Sequence, residues 1–580
     1  MMRDTAGMIT SRTIAIRTAR RGMAHPALGR FPPLTRLRAW PLALTGELAG
    51  VLLLLSGGVL AHIANMFNYP RYQGDEGVYM SAAWAVAHGQ IYPYTYSYGH
   101  PPLGWAMIAA WCAATGGFFT FGTAINTGRV FMISIFTLSA LLVYLIARRW
   151  TGSPWPAFLA MALFSLSPLG VYYQREVLLD NIATFWMLLA LYLLVASANR
   201  MRVIIASALA LGLAFLSKET IVVLFPIFFY AAWLQAAKFQ RRFAVIVFSY
   251  IALAMVSLFL LLAALKGELF PTGTLLGGSH PHVSLIATFL DQASRGSSQG
   301  SFTEQWNFWK QDDAVLILGG VGTVGINLLF GWRKSSLRIV ALLALIYLLF
   351  LGRGGVTFTY YIIPLIPLLA LNIALLADTI VSLVAHVPWW TNHALVRRLV
   401  PLVFLGLLIA LIPHDVQLNQ TNFTANETGP QIAALQWASA HIPRSAMILA
   451  SHYDWLDMRA EGGLASGDGA PFDRVEMYWV AATDPAIYDT LLHNNWNNID
   501  YIMADSDLMI DAHAYPMPLL LQALQHSFPL ITFRNARFWV TIYKVQHKGM
   551  APIDGANPAL LQELNSPGRS IPAPASAAQP

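Results

Sequence analysis

The sequence predicts a polytopic α-helical membrane protein ending in a small α/β domain on the non-cytoplasmic side, and three observations predict it. Of 580 residues, 56% are hydrophobic and 11% charged, against about 25% charged in an average soluble domain. The apolar residues come in long blocks rather than at the spacing of amphipathic helices. Those blocks stop near residue 413, and the chain then reads as a compact soluble domain. Lipid solvates most of such a chain.

Composition also excludes. Cys112 is the single cysteine, which leaves no internal disulfide framework and no cysteine-cluster metal site. The net charge of +7 is spread through short loops between apolar blocks, not along a basic stripe interleaved with stacking aromatics. No nucleic-acid partner is expected; membrane lipids are.

Residues 1–43 are polar and basic and read as a cytoplasmic tail. Apolar blocks follow near 44–64, 127–147, 155–171, 181–198, 203–217, 220–237, 243–265, 313–332, 338–352, 358–384 and 399–413, where ~20 residues cross the hydrocarbon core. Several are short or contain Pro or Gly, and Ala106–Ala114 reads as a further short embedded helix. The expectation is therefore about 11–13 membrane helices. With the N-terminus inside, the cytoplasmic loops hold Arg148-Arg149, Arg200 and Arg202, Lys238 with Arg241-Arg242, Arg333-Lys334 with Arg338, and Arg397-Arg398. The first outer loop, 65–126, holds Arg71 alone. That asymmetry sets the orientation by the positive-inside rule.

An odd number of spans places 414–546 outside. Within it Gln431–His441 has helical spacing, Pro485–His493 reads as helical, and Ala446–Ala450, Ile499–Ala504 and Phe538–Val545 read as strands. Residues 547–580, rich in Pro, Ala and Ser from Ala551, read as a disordered tail.

Charges beside membrane spans are costly unless paired or working. The first outer loop opens with Gln73-Gly74-Asp75-Glu76-Gly77. Adjacent carboxylates on a helix diverge by about 100°, so one can act on a substrate while the other holds a neighbouring group or a metal. The alternative is an acidic helix N-terminus stabilised by the dipole. A tyrosine-rich stretch, Tyr92 to Tyr98, leads into His100-Pro101-Pro102-Leu103-Gly104; it fits either an interface belt or a platform for sugar rings. The second outer loop carries Arg175, Glu176 and Asp180, where an Arg–Asp pair capping the span is the plainer reading. The third is Ser217-Lys218-Glu219, where Lys218 could simply snorkel. The fourth carries Arg353, then Tyr360-Tyr361-Ile362-Ile363-Pro364. A phosphate leaving group needs cations, and an acceptor hydroxyl needs a carboxylate base. This set suits phosphate displacement at a membrane surface better than anchoring alone.

The Asp-Glu pair after the first span, His-Pro-Pro-Leu-Gly in the same loop and Arg-x-x-Leu-Leu-Asp together resemble the protein O-mannosyltransferases. The Leu-Ser-Lys-Glu turn and Tyr-Tyr-x-x-Pro resemble the bacterial aminoarabinose transferase group. Both belong to the GT-C fold class of polyprenyl-phosphate-sugar-dependent glycosyltransferases, and the likeness covers about 44–413. It implies Asp75 as the base for direct, inverting attack on the anomeric carbon, with Glu76 as its positioning partner. It matches Arg175 and Asp180 to the family's arginine and aspartate. On the physical argument Arg175, Lys218 and Arg353 would hold the lipid phosphate, with Tyr360 and Tyr361 beside them, and His100 would shape the acceptor side. The implied partners are a polyprenyl-phosphate-linked sugar donor and a lipid, polysaccharide or protein acceptor.

The region 266–312 is too short for the inserted outer domain of the protein O-mannosyltransferases, while a domain at 414–546 fits the bacterial branch. The expected location is a bacterial plasma membrane with the site facing outside. No cofactor is assigned; metal dependence varies across the fold class, and His280 and His282 with Glu76 could hold a divalent ion, although solvated loop histidines are the plainer reading. The rival class is a transporter or lipid flippase. It expects midplane charge and repeated halves, whereas these spans are poor in midplane charge, no repeat is evident, and a soluble domain sits outside.

Overall fold

Prolines and loop charges cut the apolar blocks into helices of unequal length. In the computed structural model the described residues are 40–278, 282–294, 301–332, 334–385, 406, 416–466 and 470–548. Two units form, Met1–Ala49 and Gly50–Pro580. Of the first, the described part is the opening of helix Trp40–Ile63.

Five helices are long and apolar enough to cross a membrane alone: Thr45–Ile63, Ala124–Thr151, Leu179–Ala196, Lys238–Leu265 and Thr359–Val384. Phe302–Asp312 and Val315–Phe330 meet at a bend of 113°, the geometry of either one broken span or a re-entrant loop. Pro154–Leu166, Met201–Ser217, Glu219–Gln235 and Ser335–Leu351 are apolar but shorter, 10–17 residues, and at 1.5 Å per residue the longest reaches only about 26 Å. Their breaks have visible causes: Pro154 and Pro168 open new helices, and Lys218 in extended backbone ends Met201–Ser217. Leu103–Thr115 is the further short helix that the sequence suggests. Block 399–413 lies outside the described residues except residue 406, as do 1–39 of the basic arm and 549–580 of the tail.

Burial sorts the spans. Thr359–Val384 is 83% buried over its most apolar stretch, whereas Lys238–Leu265 is 17% buried and leaves Phe243, Ile246, Tyr250 and Leu253 exposed, the side chains of a lipid-facing helix. Leu179–Ala196 packs between Ala124–Thr151 and Met201–Ser217.

The C-terminal domain carries a five-stranded sheet: β1 (Met447–Ala450), β2 (Arg474–Met477), β3 (Tyr501–Asp505), β4 (Ser527–Arg534) and β5 (Trp539–Val545), in the order β2-β1-β3-β5-β4. β1 runs parallel to β2 and β3, pairing Met447 with Arg474 and Ile448 with Tyr501; β5 runs antiparallel to β3 and β4, pairing Met503 with Ile542. The unbroken apolar run Met-Ile-Leu-Ala is what a strand buried on both faces requires. Strands 1, 3 and 5 and helix Gly429–His441 coincide with the sequence reading. β2 and β4 do not: β4 is an edge strand with irregular exposure and a register shift at Pro529.

This domain is fastened to the first loop. Gln431 accepts from the Tyr72 amide at 2.9 Å and donates to the Tyr72 carbonyl at 3.0 Å. Arg71 pairs with Asp507 at 2.9 Å. Tyr94 donates to Glu476 at 2.7 Å, and Asp484 accepts from the Thr95 amide and hydroxyl. Asp457 accepts from the Ala124 amide at 3.2 Å, capping a membrane helix from the sheet domain. Helix Gly74–Ala87 lies on helix His452–Arg459 so closely that a Cβ at Gly77 would sit 2.2 Å from the His452 carbonyl oxygen.

Candidate active site

Asp75 and Glu76 open helix Gly74–Ala87, and the turn between them sends them to different environments. Glu76 is fully buried. Its carboxylate binds Arg129 through Nε at 2.9 Å and Nη2 at 2.6 Å, and also accepts from the Val177 and Gln73 amides. Arg129 spends its remaining donors on the Met66, Pro70 and Arg71 carbonyls. Every polar group of this pair has a partner, so Glu76 is engaged in holding the loop to helix Ala124–Thr151.

Asp75 is half-buried, and its Oδ2 accepts from the Tyr360 hydroxyl at 2.5 Å. Around it lies a polar cluster supplied by four separate segments. Lys218 is 1% exposed, pairs with Asp180 at 3.5 Å, and lies 3.2 Å from Nε2 of His100. The other ring nitrogen of His100 meets Glu219 at 2.9 Å, and the Tyr79 hydroxyl approaches Nε2 at 3.3 Å. The Lys218 ammonium also faces the rings of Tyr79, Tyr360 and Tyr361 at 5.8–5.9 Å. Asp180 has no other hydrogen-bond partner among the described residues. Burial and the Asp75 charge push the Tyr79 phenol well above its usual range, so it serves as a neutral hydroxyl.

The structure therefore brings Asp75, His100, Asp180, Lys218, Tyr360 and Tyr361 together, and leaves three expected residues apart. Besides Glu76, Arg175 is buried and donates to the carbonyls of Ala61, Ala64, Tyr69, Val171 and Asn422. It pins loops together, and burial lowers its guanidinium to about 9. Arg353 is exposed, donating to the Phe350 and Val356 carbonyls and stacking on Phe350. Both arginines are occupied by backbone carbonyls at helix ends and the turns beside them.

The sequence reading missed Arg129, Tyr79 and Glu219 as members of these networks. Arg129 had a signal: it is the one Lys or Arg between Ala124 and Ala147, and a lone charge inside a span demands a partner. The tyrosine-rich stretch is neither free platform nor belt. Tyr94 and Tyr98 donate to Glu476 and Glu268, and Tyr96 donates to the His100 carbonyl at 2.5 Å.

A divalent ion does not fit the residues that gather here. Each carboxylate already has a close neighbour, Lys218 for Asp180, a ring nitrogen of His100 for Glu219 and the Tyr360 hydroxyl for Asp75. No group of three or more His, Cys, Asp or Glu converges among the described residues. His282 meets the Phe270 carbonyl, Glu76 is held by Arg129, and His280 lies outside the described residues.

Residues 100–261 match the family model described as dolichyl-phosphate-mannose-protein mannosyltransferase. No curated protein matches the chain in sequence. Among solved structures, the chain is similar to ArnT from Cupriavidus metallidurans bound to undecaprenyl phosphate, with 14% identity, TM-score 0.51, and 86% of this chain and 98% of that one covered. It is similar to the oligosaccharyltransferase AglB from Archaeoglobus fulgidus in complex with an inhibitory peptide and a dolichol-phosphate, with 13% identity, TM-score 0.51, and coverage of 88% and 75%. The Archaeoglobus fulgidus oligosaccharyltransferase complexed with Zn and sulfate gives 15% identity, TM-score 0.50, and coverage of 83% and 71%. The fold is that of the GT-C class of membrane glycosyltransferases.

Proposed function

We propose that the chain moves a sugar from a polyprenyl-phosphate donor to an acceptor hydroxyl on the non-cytoplasmic face of the membrane, with Asp75 as general base. One observation carries the reading: a buried ammonium, Lys218, is held by a single loose carboxylate beside a half-open aspartate. A lysine is a compact charge suited to a phosphate. An ammonium that is only partly neutralised in a low-dielectric site attracts an anion strongly.

In this mechanism the acceptor oxygen attacks the anomeric carbon as its proton passes to Asp75. The bond from that carbon to the phosphate oxygen breaks, and the electron pair stays on the polyprenyl phosphate. Lys218 neutralises the departing phosphate, an electrostatic contribution available only where charge develops, while His100, whose Nε2 accepts from the ammonium, holds Lys218 in place. Tyr360, donating to Asp75, fixes the base where the hydroxyl must be presented. In-line displacement of this kind inverts the anomeric configuration.

An apolar groove of about 510 Å³, lined by Val86, Ile91, Pro102, Leu103, Leu216 and Phe259 among others, supports a lipid-linked donor. Its lining reaches Pro102 and Leu216, each two residues from a member of the polar cluster, so a polyprenyl chain there would leave its phosphate at Lys218. The basic loops at the opposite ends of the spans support an outward-facing site.

The test uses membranes carrying the native chain or Asp75→Asn and a panel of radiolabelled polyprenyl-phosphate sugars. Label should leave the lipid fraction with at least one donor, and the variant should lose at least a hundredfold while folding and binding undecaprenyl phosphate normally. Turnover that survives in Asp75→Asn removes Asp75 as the base; no turnover with any donor overturns the function.

A further inference from the structure

We infer that His452, supplied by the C-terminal domain, orients the acceptor hydroxyl against Asp75. The inference rests on the transferase reading above and adds a residue to it from the part of the chain farthest in sequence. His452 follows the carboxyl end of β1 and begins helix His452–Arg459. β1 lies between β2 and β3 with both neighbours parallel to it. In open α/β sheets the crevice outside the carboxyl ends of parallel strands, where the chain crosses to either side, is where ligands bind.

Docking points that crevice at the reaction centre. The close approach at Gly77 fixes the His452 backbone against the helix that carries Asp75, and Nδ1 of His452 would lie 3.6 Å from a Cβ placed on Gly74. Of the other polar side chains on the same helix, Asp457 is engaged by the Ala124 and Leu464 amides and Arg459 by Glu476, while Asp454 is buried away from solvent without a hydrogen-bond partner among the described residues. Tyr453 donates to Asp505 at 2.6 Å. The His452 imidazole differs. It packs edge-on against Tyr478, with centroids 5.3 Å apart, keeps part of its surface free, and has no hydrogen-bond partner among the described residues.

A histidine in that setting has the complement of a hydroxyl. Burial lowers its pKa to about 4, the Asp75 charge opposing the shift, so the ring is neutral at pH 7. A neutral imidazole offers one N–H donor and one acceptor nitrogen, and an alcohol both gives and takes a hydrogen bond. His452 can therefore accept from or donate to the acceptor hydroxyl while Asp75 receives its proton. No group other than Asp75 changes protonation in the step.

The experiment adds purified full-length protein in nanodiscs to membranes of a strain lacking it, with radiolabelled undecaprenyl-phosphate sugars as donors and the amount of acceptor membrane varied. His452→Ala should raise the half-saturating amount of acceptor membrane at least tenfold, with the affinity for undecaprenyl phosphate unchanged. His452→Gln, which keeps a donor and an acceptor, should recover part of the loss. Wild-type acceptor dependence in His452→Ala overturns the inference and leaves the transferase reading standing. So does joint loss of transfer and undecaprenyl phosphate binding, which would make the residue structural. Absence of transfer by the wild-type protein from every donor overturns both.

Discussion

Glu76–Arg129 and Asp180–Lys218 are both carboxylate–cation pairs with side chains no more than 1% exposed, yet one is saturated and the other is not. The first has contacts of 2.6 and 2.9 Å, two backbone amides on the carboxylate and three carbonyls on the guanidinium. The second has one contact at 3.5 Å and no further donor to the carboxylate among the described residues. Desolvating two charges is repaid only when hydrogen bonds satisfy what the pair itself leaves over. The saturated pair can therefore serve the fold, whereas the open pair costs stability and keeps a charge available to something that arrives later. Proximity to Asp75 follows the same division, because the open cluster faces it and the closed pair faces away.

The contrast breaks most violently at Arg129. Arg129→Met leaves Glu76 buried and uncompensated, a loss of about 3–5 kcal/mol, and should abolish the monodisperse folded peak in size exclusion. Adding Glu76→Leu should return much of it. At Lys218 the order of effects reverses. Lys218→Met should lower transfer at least a hundredfold, and the stability it loses by leaving Asp180 buried without a donor should return when Asp180→Leu is added. The double variant Asp180→Leu/Lys218→Met should melt at or above the wild-type temperature while remaining inactive. A double variant that melts well below wild type would mean the open pair serves the fold after all.

The smallest effect concerns a carboxylate with hydrogen bonds and no cation. Asp457 accepts from two amides, and burial raises its pKa to about 7, against the ordinary value near 3.9 that it regains on unfolding. The folded state therefore holds a proton that the unfolded chain releases, and the contribution to stability is full below about pH 4 and lost as pH rises through 7. Asp457→Asn should flatten that part of the pH profile of thermal unfolding; an identical slope in both proteins would assign it to other groups.

Much of the helical frame was legible because lipid imposes block lengths and Pro, Gly and charge interrupt them. Lys218 could be picked out because a lysine between two apolar helices is costly wherever it points. The different fates of Asp75 and Glu76 were legible only as a divergence of about 100°. Which one faces inward depends on Arg129, 53 residues away, and no local pattern encodes that. Arg175 and Arg353 show the opposite failure. Residue type suggested phosphate binding, but neighbouring backbone carbonyls claimed both guanidinium groups. His452 had no signal at all, since its significance comes from a docking geometry that periodicity cannot express.

The contact at Gly77 also has a consequence in time. The helix that carries Asp75 leaves the ribosome about 375 residues before the segment that packs on it, roughly 20 to 75 seconds at ordinary synthesis rates of about 5–20 residues per second. During that interval the first loop can enter the membrane, but its exposed face waits for the sheet domain. Activity should therefore switch on only once helix His452–Arg459 has docked on the helix that carries Asp75.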